Sequence, residues 1–123
     1  MSTFKRFEDI HAWQKARELT GQVYSITKQG EFARDFSLRD QIRRASVSIM
    51  ANIAEGFARR SDKDFAYFLN ISRSSVSEVQ SHLYVALDQG YIGETDFERV
   101  YTLLDESSRM IFGIVRHLIN KKK

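Results

Sequence analysis

The chain has 123 residues, with 19 Lys and Arg against 16 Asp and Glu, a formal charge of +3, and 42% hydrophobic and 28% charged residues. This is the balance of an ordinary globular protein; it excludes prolonged disorder, and no run approaches the ~18 apolar residues of a membrane-spanning helix. With no cysteine there are no disulfides, thiolate metal sites or cysteine nucleophile, and with no proline and only 6 glycines the chain favours long helices.

Residues 1–10 lack the apolar core of a signal peptide, so the expected address is the cytoplasm. Helix one is predicted from about Phe7 to Lys28. Its apolar positions Ile10, Trp13, Ala16, Leu19, Val23 and Ile26 recur every three or four residues. Gln29, Gly30 and the stretch to Phe36 form a connection. Helix two is expected to begin after Ser37, a capping residue with Asp40 three positions on, and to end near Arg60.

Ser61 repeats the capping device for helix three, helped by Asp62 and Asp64 at the positive helix end. That helix carries Phe65, Phe68, Leu69, Ser72, Val76, Val79, Leu83, Ala86 and Leu87 and stops at Gly90. Gly90 and Gly93 bracket a short turn, and Thr95 with Glu98 is expected to open helix four. Its stripe is Phe97, Val100, Leu104, Ser107, Ile111, Ile114 and Leu118. The fold class expected is all-α, an antiparallel up-down-up-down four-helix bundle forming one domain over residues 1–123. A short basic tail from about residue 120 is expected to be disordered. Trp13, Phe65, Phe68, Phe97 and Phe112 read as core aromatics.

Helix two is the most informative segment. At 100° per residue, Arg44, Ser48, Asn52, Glu55 and Arg59 fall within about 80° of one another. Ile42, Ala45, Ile49, Ile53 and Gly56 fill the adjoining arc, while Val47, Ala51, Ala54 and Ala58 cover much of the remainder. Apolar residues on two sides imply burial on two sides, by the bundle and by a second subunit packed on Val47, Ala51, Ala54 and Ala58. The polar stripe reads first as a satisfied structural network fixing helix register or an interface. The sharper alternative places Arg43, Arg44 and Asn52 against phosphate in a channel or groove.

Arg59, Arg60 and Lys63 cluster at the junction of helices two and three, and Arg39, Arg43 and Arg73 are candidates to extend the patch. A solvated capping region is the bland alternative, since Asp62 and Asp64 share the turn. His11, His82 and His117 lie on different helices, and Glu78 with His82 is a lone pair one turn apart, so no metal is expected. No serine has a histidine placed to activate it, and no glycine loop cradles phosphate; no catalytic residue and no cofactor are assigned.

The segment QIRRASVSIMANIAEGFARRSDKDFAYFLNISRSSVSEVQSHL resembles the signature of the four-helix-bundle family encoded by intervening sequences in bacterial 23S rRNA genes. The shared features are paired arginines, a serine, Asn-Ile-Ala-Glu-Gly, and an arginine-serine helix junction. The spacing of Trp13, Ala16, Leu19 and Tyr24 and the Gly90-Tyr91 turn extend the resemblance over nearly the whole chain. It implies an antiparallel bundle assembling as a homopentameric ring, similar to the accessory protein of diversity-generating retroelements, which binds nucleic acid and a reverse transcriptase. Two departures are visible: Met50 stands where the family often has proline, and no Phe-Pro segment precedes helix two. The expected function is therefore non-catalytic: an oligomer presenting a basic surface to RNA or DNA, with no membrane and no small-molecule substrate. The alternative is a protein-interaction scaffold or accessory subunit whose charge serves solubility.

Overall fold

A computed structural model describes residues 4–120, and the expectation for Lys121, Lys122 and Lys123 lies outside them. Four helices account for most of these residues: α1 (His11–Thr27), α2 (Phe36–Phe57), α3 (Asp62–Asp88) and α4 (Glu94–Asn120). Single 3-10 turns occupy Phe7–Asp9 and Phe32–Arg34. No strand occurs among the described residues.

Each neighbouring pair runs antiparallel, as the side-chain contacts show. Advancing along α3, Phe65 lies beside Gly56, Ser72 bonds to the Ile49 carbonyl and Ser75 meets Ser48. Thr20 and Thr27 of α1 meet Ser46 and Arg43 of α2, again in descending order. Arg73, Gln80 and Tyr84 of α3 face Phe112, Asp105 and Tyr101 of α4. Lys15 and Gln22 of α1 face Glu106 and Arg99 of α4 and so close the ring. The result is an all-α, up-down-up-down bundle.

The core is aliphatic at its centre, with Leu19, Ile42, Ile49, Ile53, Leu69, Leu83, Leu104, Ile111 and Leu118 fully or almost fully buried. Hydroxyls share it. The Ser72 hydroxyl donates to the Ile49 carbonyl at 2.7 Å and that of Thr20 to the Ala16 carbonyl at 2.7 Å, whereas the equally buried Ser107 hydroxyl has no hydrogen-bond partner among the described residues. Of the five aromatics expected in the core, only Phe65 is buried; Trp13, Phe68 and Phe97 are half-buried and Phe112 is 41% exposed. The wholly buried aromatic among the described residues is Phe32, at one end of the bundle, in the α1–α2 connection, stacked on Tyr91 of the α3–α4 turn at 5.4 Å.

Three helix starts differ from expectation. Residues 7–9 form a 3-10 turn, and extended backbone at Ile10 delays α1 to His11. Asp35, not Ser37, caps α2, its carboxylate accepting from the Leu38 amide at 3.1 Å. Thr95 lies inside the first turn of α4, which opens at Glu94. Ser61 does cap α3, accepting from the Asp64 amide at 3.1 Å. The helix reaches Asn120, so that residue belongs to α4 rather than to a tail.

Gly90 and Gly56 show two different geometric demands for glycine. Gly90, at φ 76°, ends α3 with paired bonds from its own amide to the Leu87 carbonyl and from Tyr91 to the Ala86 carbonyl, a Schellman arrangement. Gly56 sits where α2 packs tightly against α3. A Cβ there would fall 2.8 Å from the Phe68 Cβ and 3.2 Å from the Phe65 carbonyl oxygen.

Candidate nucleic-acid interface

Basic side chains are distributed along α2 and α3 by helix geometry. Arg39 and Arg43 lie in the first half of α2 and Arg59 and Arg60 just beyond its end, about 24–32 Å apart at 1.5 Å per residue. The structure therefore gathers Arg59, Arg60 and Lys63 at the α2–α3 turn and leaves Arg39 and Arg43 at the opposite end. Arg73 is further along α3, on the side facing α4. They do not form one patch within a chain.

Four of these arginines lie over aromatic rings. The guanidinium carbon sits 4.8 Å from the Phe36 centroid for Arg39, 4.6 Å from Tyr24 for Arg43, 4.7 Å from Phe68 for Arg59 and 4.5 Å from Phe112 for Arg73. A guanidinium attracted to a ring face is fixed in position with its forked edge still able to donate. Phe36 and Arg39 are three apart on one helix, a spacing that marks the pair in the sequence. The Tyr24–Arg43 contact joins two helices and has no such local signature.

Their remaining donors differ. Arg43 donates through Nε to the Thr27 hydroxyl at 2.8 Å, and Arg39 donates to the Ala33 carbonyl and the Asp40 carboxylate, both at 3.0 Å. These two tie α2 to its surroundings. Arg59 meets Glu55 at 2.7 Å across one exposed turn, a pair that contributes a few tenths of a kcal/mol. Arg44, Arg60 and Lys63 are exposed and have no hydrogen bond or ion pair among the described residues.

The polar stripe divides into separate parts. Asn52 donates from Nδ2 to the Ser48 carbonyl and hydroxyl, each at 2.9 Å, and the Ser48 and Ser75 hydroxyls meet at 3.0 Å. This half-buried set links α2 to α3. Glu55 and Arg59 pair by themselves, and Arg44 does not join Ser48. Beside the stripe, Val47 is 42% exposed, Ala51 and Ala58 are exposed and Ala54 is half-buried. The second covering inferred for α2 is thus not supplied by its own bundle.

The histidines form no centre: His82 Nε2 stands 3.5 Å from Glu78 without hydrogen-bond geometry. Among the described residues no group of three His, Asp or Glu gathers to hold a metal, and no helix is long and apolar enough to cross a membrane.

The model of the 23S rRNA-intervening sequence protein family matches residues 8–113. The chain belongs to that family. The match takes in the whole of α2 and α3, and with them the basic turn, the Ser48–Asn52–Ser75 set and the exposed apolar stripe. No curated protein matches the chain. A crystal structure of a protein of unknown function from the S23 ribosomal protein family of Bacteroides thetaiotaomicron is similar, with a TM-score of 0.79 at 24% identity. The alignment covers 85% of this chain and 95% of that one. At this identity the likeness carries the fold, and function must be argued from the family member's own residues.

Proposed function

We propose that this protein is a non-catalytic, cytoplasmic oligomer, a homopentameric ring in the arrangement its family resemblance implies, that binds the phosphate backbone of RNA or DNA through the α2–α3 turn. The observation that carries the reading is the pair of exposed cations Arg60 and Lys63, without acceptors among the described residues, beside ring-supported Arg59. Arg44 adds a further unpaired cation on the outer side of α2. Contacts of this kind position a backbone and do not read sequence. The exposed Val47, Ala51 and Ala58 supply the apolar stripe through which copies would associate, repeating the cations around the assembly.

A second reading is favoured by a different observation. Tyr67 is 62% and Ile119 53% exposed, and Ile119 with Leu118 and Ala66 lines a cleft of about 180 Å3 beside Lys63. These apolar residues suit a protein partner, as a scaffold or accessory subunit would require.

The deciding experiment is anisotropy titration of labelled mixed-sequence RNA and duplex DNA into wild type and an Arg60→Glu/Lys63→Glu variant. The reading expects roughly tenfold or greater weakening in the variant for both nucleic acids. Equal affinity in the two proteins would place the contact away from the α2–α3 turn, and no binding by either would move the assignment to the scaffold.

A further inference from the structure

We propose that the groove between α3 and α4 at Arg73 is a binding site for a single phosphate group. Asn70, Arg73, Ser74, Ser77 and Ser108 line an opening of about 330 Å3, at the small end of the range for ligand clefts. Arg73 is the one charged residue among them. It is half-buried, and its Nε is closed off from solvent with no acceptor, which leaves the two Nη groups as the edge that a ligand entering the groove would meet. No carboxylate lies within ion-pair reach among the described residues, whereas Arg59 and Arg99 each have one.

Partial burial of a cation without a counter-charge is unfavourable, and an anionic ligand offsets it. The guanidinium already has a support, the Phe112 ring 4.5 Å away, and Arg116 lies 5.9 Å from the same ring and strengthens the positive potential. Around it, the Asn70 amide and the Ser77 and Ser108 hydroxyls have no internal partners among the described residues, and the Ser74 hydroxyl bonds only to the Asn70 carbonyl at 3.2 Å. A forked cation ringed by short neutral donors from two helices suits a tetrahedral group with several acceptor oxygens better than a two-oxygen carboxylate. The phosphate can be free, or carried by a nucleotide.

This site is independent of the α2–α3 turn: Lys63 and Arg73 are about 15 Å apart along α3. The test is 1H–15N NMR of the full chain at constant ionic strength, following Arg73 Nε–H and the amides of Asn70, Ser74, Ser77 and Ser108. Inorganic phosphate is titrated first, then a nucleoside 5′-monophosphate and the nucleoside alone. The proposal expects saturable shifts at these positions, weakened roughly tenfold or more in Arg73→Gln, less in Arg73→Lys, and unchanged in Arg60→Glu. Tighter binding of the monophosphate than of phosphate would assign a nucleotide source, and equal binding a free one. Shifts that rise linearly without saturation in the wild type would overturn the site, as would saturation undiminished by Arg73→Gln.

Discussion

Gly56 permits α2 and α3 to pack closely, because a Cβ would meet the Phe68 Cβ and the Phe65 carbonyl oxygen, neither of which can swing away, as well as the edge of the Phe65 ring. Gly56→Ala is expected to destabilise the fold by about 1–3 kcal/mol in chemical denaturation, despite alanine's better helix propensity. A neutral or stabilising result would mean that the helices separate at no cost. Tyr91 is a second single-residue constraint. Its hydroxyl donates to the Asp35 carboxylate at 2.9 Å, and this bond, with burial and the nearby negative charge, raises its pKa. A raised pKa means that the neutral phenol's contribution is fully present below the ordinary value near 10 and is lost as pH rises through the raised one. The stability difference between wild type and Tyr91→Phe should therefore be constant from neutral pH to about pH 10 and shrink above it. A difference that persists unchanged into strong alkali would show the bond does not couple to titration.

At the scale of elements, four helices were legible in the sequence because apolar residues repeat every three or four positions over long stretches. Their starts were less so. Ser37 and Asp40 have the spacing of a capping box, yet Asp35 is where the 3-10 turn Phe32–Arg34 delivers the chain, and a carboxylate there meets the Leu38 amide. That turn is set by burial of Phe32 against Tyr91, a contact between residues far apart in sequence that no local pattern announces. Asp35→Ala is accordingly expected to cost about 1 kcal/mol or more in thermal unfolding and Ser37→Ala little. The reverse ranking would restore Ser37 as the cap. The basic turn was readable because its three cations are near neighbours in sequence. The Arg73 groove was not, since Ser108 reaches it from another helix.

For the whole molecule, the exposed Val47 and Ala51, on a helix already buried along its other side, form the surface proposed above for packing between copies. Val47→Glu and Ala51→Glu should lower the mass measured by light scattering while helicity is retained, since neither side chain belongs to the monomer core. Loss of helicity would place them inside it, and an unchanged mass would put the interface elsewhere. In the proposed assembly each copy would add another α2–α3 turn to the surface offered to a nucleic acid.

The most direct measurement is the salt dependence of RNA and duplex DNA binding, plotted as log affinity against log salt. For duplex DNA, three phosphate contacts from one turn would give a slope near −2.7, at about −0.9 per phosphate. A ring that presents several turns to one duplex predicts a steeper slope, made shallower by Arg60→Glu/Lys63→Glu. Binding that is absent at low salt, or flat as salt rises, would contradict the account.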